Sequence, residues 1–140
     1  MFPLQLTSGV AVIKPQSVAT TATVTGNIDT LGYEEVKVCV LLDSSASTSN
    51  NPSTLKLSES DDTVVTNFAD ITGFEGDATD GFTIPAVSAS LPTVVDLAVD
   101  CRARKRYLKL TLTPGGATMI VGATAVLGKA KESAAANATG

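Results

Sequence analysis

The sequence predicts an all-β fold, an antiparallel β-sandwich of the jelly-roll type with flexible termini, and three observations predict it. Apolar residues recur at every second position in several short runs, the period of a half-buried strand. Val and Thr, stiff at χ1 and suited to a pleated surface, are abundant, while Glu, Lys, Gln and Arg are scarce. Turn-forming residues interrupt the chain about every eight to twelve residues, the spacing of sandwiches and barrels. The 140 residues suit one domain, and 44% hydrophobic against 17% charged residues is the balance of a folded chain. With six Phe or Tyr and no Trp, its core must be aliphatic.

In chain order, residues 1–16 read as an N-terminal arm. MFPLQLTSGVAVIKPQ has no basic stretch followed by a long apolar one, so a soluble protein without a secretory signal is expected. The sandwich is expected over residues 17–128. Ser17 to Thr25 alternates as a strand that Gly26 and Asn27 turn, and Ile28 to Tyr33 reads as an irregular turn around Gly32. Glu35 to Leu42 places Val36, Val38, Val40 and Leu42 on one side. Asp43 to Ser53 is a polar loop, and Leu55 to Glu59 a short strand. Ser60 to Asp80 predicts one short strand within irregular backbone, and Phe82 with Ile84 begins a strand that Pro85 confines to an edge.

Pro92 to Gly116 reads as a hairpin-like pair, Val95, Leu97 and Val99 on one strand and Leu108, Leu110 and Leu112 on the next, around a cationic corner. Ala117 to Leu127 predicts a last long strand, buried on both faces or closely packed. Residues 129–140 read as a flexible C-terminal tail. The total is roughly seven to nine strands, with little helix.

Chemistry is sparse. The chain has no His, which removes Ser-His-Asp and Cys-His mechanisms, and no catalytic residue is predicted. Glu59, Asp61, Asp62, Asp70, Glu75, Asp77 and Asp80 are near in sequence. A glycosidase, however, needs a cleft with opposed carboxylates, and the run Glu75 to Gly81 does not have the spacing of a calcium loop. No cofactor and no metal is expected. Cys39 and Cys101 read as two small buried side chains, with a single cross-link between strands left open.

A net charge of −4 argues against a nucleic-acid binder, and no stretch approaches the roughly 20 apolar residues that span a bilayer. Within this acidic chain, Arg102, Arg104, Lys105 and Arg106 hold four of ten basic residues, beside Tyr107. The group reads as a solvated turn, as a protein contact in which Arg forks meet carboxylates of another subunit, or, least favoured for lack of extent and interleaved aromatics, as a nucleic-acid patch. Arg102, Arg104 and Arg106 share one side if they alternate as a strand does.

The run LKLSESDDTVVTNFADITGF (Leu55 to Phe74), with RKRYLKLTLTPGG (Arg104 to Gly116) and the closing Ala/Val/Thr-rich strand, resembles the small capsid decoration, or cement, proteins of tailed bacteriophages. NIDTLGYEEVKVCVLL (Asn27 to Leu42) is similar to their early strand, so the resemblance spans about Ser17 to Lys129. It implies a jelly-roll-like domain that assembles in the host cytoplasm onto the outer surface of the phage head. Its partners would be the major capsid protein and itself, as a homodimer or homotrimer, with no nucleic acid and no membrane. Capsid contacts are expected first at Arg102, Arg104, Lys105, Arg106 and Tyr107, at the Asp43 to Ser53 loop and at the termini. A tail or head-completion subunit is the alternative among virion proteins. A carbohydrate-binding sandwich is the alternative from another class, disfavoured by the absence of Trp.

Overall fold

The computed structural model describes residues 7–44 and 51–130. Eight strands account for most of them: β1 (Ser8–Val18), β2 (Val24–Asp29), β3 (Tyr33–Leu42), β4 (Thr54–Ser60), β5 (Ala69–Glu75), β6 (Thr93–Asp100), β7 (Tyr107–Thr113) and β8 (Met119–Ala130). They form two four-stranded sheets, ordered β1-β8-β3-β6 and β2-β7-β4-β5. The antiparallel pairs β1 with β8, β2 with β7, β3 with β6 and β4 with β5 are nested, as if one long hairpin had been folded across two layers. That is the jelly roll.

Alternation builds the core as expected. Val36, Val38, Val40 and Leu42 of β3, Val95, Leu97 and Val99 of β6, and Val121, Ala123, Ala125 and Leu127 of β8 are buried on one sheet. Ile28, Leu55, Leu57, Ile71, Leu108, Leu110 and Leu112 face them from the other. The core is aliphatic, with Tyr33, Phe74 and Phe82 packed at its margin.

Several boundaries differ from the sequence expectation. The first strand starts at Ser8, within the segment read as an arm. Pro15 is tolerated because β1 is an edge strand and its register shifts between Ile13 and Gln16, so the missing N–H falls in a bulge. Ser17 to Thr25 is not one strand: the Ala22 amide bonds the Ala19 carbonyl at 3.0 Å, and Thr21 has a positive φ of 67°, which makes a turn between β1 and β2. Gly26 and Asn27 lie inside β2. Gly26 is required there by close approach, since a Cβ would overlap the Val12 carbonyl oxygen of β1.

Phe82 and Ile84 do not begin a strand. Phe82 makes one isolated bridge to Gly76, and the backbone donors after it bond side chains instead: Ile84 to Asp77 and Val87 to Asn51, each at 2.9 Å. β6 and β7 are not a hairpin either. They belong to different sheets, and the segment between them crosses the sandwich edge. β8 extends to Ala130, and only one of its faces is buried. The terminal flexibility expected for the chain, and most of the Asp43 to Ser53 loop, lie outside the described residues. Cys39 faces outward from β3 while Cys101 is buried beyond the end of β6. Asp96, opposite Cys39, is five residues from Cys101, about 16 Å along the strand, and no disulfide joins the two thiols.

Candidate interaction surfaces

The corner between β6 and β7 pairs with its own Asp100 and gathers carboxylates from two other places in the chain, the ends of β2 and β4. Asp100 caps a single 3₁₀ turn, Cys101–Ala103, by accepting the Arg102 amide at 3.0 Å, and it also holds the Arg102 guanidinium, with Nη2 to Oδ2 at 2.6 Å. Glu59, at the end of β4, accepts Arg104 Nη1 at 3.2 Å and the Lys105 amide at 2.9 Å. Lys105 Nζ reaches Asp61 at 3.3 Å. Arg106 forks onto Asp29 at the end of β2, at 2.9 and 2.8 Å, and lies 4.8 Å from the centroid of Tyr107. The Arg106 carbonyl accepts the Thr30 amide and hydroxyl, at 3.0 and 2.7 Å.

All four cations therefore have a carboxylate partner within the chain. The 3₁₀ turn breaks the alternation on which a shared side for Arg102, Arg104 and Arg106 depended, and the three fan out to Asp100, Glu59 and Asp29. The Arg106 hydrogen bond holds the Asp29 carboxyl below its ordinary range, and the Arg102 hydrogen bonds draw Asp100 down to about 2.

The remaining acidic residues are spread over structural tasks. Asp62 accepts the Asn67 side-chain amide at 2.9 Å and the Val64 amide at 2.9 Å, which lower its pKa. At Asp70, burial raises the pKa, but Lys56 Nζ at 2.7 Å and Ser58 Oγ at 2.8 Å together outweigh it and the net shift is downward. Asp77 caps the turn before Ile84. Among the described residues no three acidic or thiol groups converge as a metal site would need.

The two outer faces of the sandwich differ in character. On the β2-β7-β4-β5 sheet the outward residues are polar, among them Thr25, Asn27, Lys109, Thr111 and Lys56. Among the described residues Arg106 lies over the Tyr107 ring at 4.8 Å, and Lys109 over the ring of Phe68, just before β5, at 4.4 Å. On the β1-β8-β3-β6 sheet Leu41, Val94, Ile120 and Val126 stand 48%, 51%, 53% and 46% exposed. Leu41 is the cross-strand neighbour of both Val94 and Gly122, and Ile120 lies one outward position further along β8. Two shallow hollows of about 330 and 320 Å³ meet at Pro15, Leu41 and Gly122.

Sequence reasoning singled out the corner and passed over this patch. The signal was present as apolar doublets, Leu41-Leu42, Val94-Val95, Ile120-Val121 and Val126-Leu127, since adjacent strand residues point to opposite faces.

No protein-family profile and no curated protein matches the chain. Solved structures do match in fold. The K3 cleaved adhesin domain of Lys-gingipain from Porphyromonas gingivalis W83 is 13% identical with a TM-score of 0.50, over 81% of this chain and 73% of that one. The PRD1 vertex protein P5 is 13% identical with a TM-score of 0.48, over 87% and 96%. The SPBc2 prophage-derived protein YomS is 12% identical with a TM-score of 0.46, over 88% and 93%. A family 35 carbohydrate-binding module and glycoside hydrolases are also among the similar structures, and the chain spans about a fifth of the BuGH86 enzyme, at 18% of its length. At 13% identity and a TM-score of 0.50, the likeness to the adhesin domain is one of fold alone.

Proposed function

We propose that the protein is a non-catalytic structural subunit of a phage virion, a decoration protein that binds the outer surface of the head and cements contacts between major capsid subunits. The observation that carries this reading is a jelly roll with an apolar patch on one outer face, Leu41, Val94 and Ile120, and, among the described residues, no three acidic or thiol groups that converge. Exposed apolar patches of this kind mark protein contacts. A second protein surface desolvates them, and a symmetric shell repeats the contact many times, so a self-associated dimer or trimer gains avidity from modest individual interfaces. On the polar face the Tyr107 and Phe68 rings, where a sugar would stack, each already carry a cation, Arg106 and Lys109.

In this reading the corner, Arg102, Arg104, Lys105, Arg106 and Tyr107, acts mainly as a clamp. Its cations are engaged with Asp29, Glu59, Asp61 and Asp100, and pairing them with a capsid carboxylate would first require giving up an internal partner.

The experiment is a sedimentation assay with heads that lack the protein. Saturable binding at hundreds of copies per head is expected, whereas no binding removes the reading and six or twelve copies mean a connector. Leu41→Ser with Ile120→Ser is expected to weaken binding at least about tenfold, the equivalent of roughly 1.4 kcal/mol. Changing Arg102, Arg104 and Arg106 together to Ser is expected to lower Tm and leave affinity within about threefold. Loss of binding at unchanged Tm would return the contact to the corner.

A further inference from the structure

The two sheets end in four edge strands, β1 and β6 in one, β2 and β5 in the other. Three of these edges are closed. β1 carries Pro15 and two register shifts against β8, and it passes β2 so tightly that its Val12 carbonyl would overlap a Cβ on Gly26. β5 is bent by a register shift against β4 and by Gly73 at a φ of 91°, and the turn after it folds back, the Phe82 amide bonding the Glu75 carbonyl at 3.2 Å. Bulges, prolines and covering segments of this kind keep a sheet from adding another strand.

β6 carries none of these devices. Thr93 to Asp100 pairs with Leu42 to Glu35 residue by residue, without a shift, and the strand TVVDLAVD contains neither Pro nor Gly. Its far side has no strand beside it, and among the described residues no backbone amide or carbonyl of a turn or loop bonds it there. The two charges on its outward face, Asp96 and Asp100, are answered by Lys37 and Arg102, at 3.4 and 2.6 Å, so they repel an approaching strand less than bare carboxylates would.

We infer that β6 pairs with β6 of a second copy of the chain, antiparallel across a two-fold axis, and joins the two β1-β8-β3-β6 sheets into one of eight strands. Charge selects the register. Residues opposite each other in an antiparallel ladder point to the same face, so outward residues meet outward residues. A ladder centred on Asp96 sets that residue against itself, and one centred on Ala98 sets Asp96 against the partner's Asp100, like charges directly opposite in both cases. Centring on Leu97 avoids both: Asp96 faces the partner's Ala98 and Asp100 faces the partner's Val94. Registers centred further out, on Val95 or Val99, run into Pro92 or the 3₁₀ turn at Cys101 and lose pairs. In the Leu97 register Lys37, Ala98 and the partner's Asp96 stand in one row across the strands. Two strand spacings, about 10 Å, separate the outer two, and the small Ala98 between them leaves the Lys37 side chain room to reach over it. The axis stands perpendicular to the joined sheet, so both outer faces point the same way. A dimer built so carries two Leu41, Val94 and Ile120 patches on one side, the arrangement that bivalent attachment to a common surface needs. The pairing itself rests on the edge and not on the head-binding role.

Sedimentation equilibrium of the full chain, without heads, tests the pairing, and a reversible dimer is expected. Ala98→Asp places a carboxylate opposite the partner's Asp96 at two symmetry-related pairs and should weaken the dimer at least about fivefold, while Ala98→Lys places a cation there and should tighten it several-fold. Ala98 is exposed, so neither change should move the Tm of the dilute protein, and Thr111→Asp on the opposite outer face should leave the dimer unchanged. A monomer at every concentration, or a trimer, overturns the inference, since an isologous edge pair closes at two. So does a dimer that both Ala98 variants weaken or that neither affects, because the ladder is then centred elsewhere or absent. A monomer that still binds heads would overturn the pairing and leave the head-binding role intact, whereas a dimer that does not bind them would remove that role and support the pairing.

Discussion

The corner residues show how an acidic chain uses a cluster of positive charge. Asp29 and Asp100 each hold an arginine through more than one hydrogen bond, and both have their pKa drawn down, Asp29 chiefly by Arg106 and Asp100 by Arg102 to about 2. Because the unfolded chain titrates these carboxyls near the ordinary value of about 3.9, it binds more protons than the native state below that pH. The contribution of each is therefore present above the unfolded-state pKa and lost as pH falls through the native one, which for Asp100 means a loss as pH falls from about 4 toward 2. Both pairs are solvent-exposed, so the effect is modest and weakens with salt. Replacing both residues by Asn is expected to lower Tm near neutral pH, and the gap to the wild type should close as the pH approaches 2. Melting curves taken across the acid range check this, and a gap that persists at about pH 2 would mean the pairs stabilise by packing alone.

At the scale of elements, the test case is β2, where one glycine decides whether two strands can pass. Gly26→Ala drives a methyl group into the Val12 carbonyl, and a loss of about 3 kcal/mol is expected, at the high end of overpacking. Gly9→Ala in β1 has nothing within 4 Å and should change stability by less than about 0.5 kcal/mol. Chemical denaturation of the two variants checks both, and equal effects would refute the close approach. β3, β6 and β7 were legible in the sequence because their inward residues alternate without a break. β1 and β2 were not, for the same local features that make the structure work. Pro15 in β1 reads as a strand breaker until the bulge beside it is known, and Gly26-Asn27 in β2 reads as a turn until Val12 is found against it. The corner's composition was legible too, but its neutralisation was not. Arg104 and Arg106 meet carboxylates 45 and 77 residues earlier, contacts that only the jelly-roll path creates.

For the whole molecule, the nested pairing has a consequence for the order in which the fold forms. β4 and β5 pair residues 12 apart at Ser58 and Asp70, whereas β1 and β8 join Ser8 to Leu127. Closing the outermost pair directly would cost roughly 2 kcal/mol more in loop entropy than closing the innermost, since the cost rises with the logarithm of loop length. If β4 and β5 meet first, however, each later pair closes only the short span left beside strands already in place. Folding should thus spread outward from β4 and β5 through β3 with β6 to β1 with β8, at the millisecond-to-second pace of folds dominated by long-range pairing. Two core variants separate this from a uniform collapse. Ile71→Val in β5 is expected to slow folding, with a φ-value above about 0.5, and Leu127→Ala in β8 to act almost wholly on the unfolding rate. Stopped-flow chevrons measure both, and a high value at Leu127 with a low one at Ile71 would show that the outer pair leads.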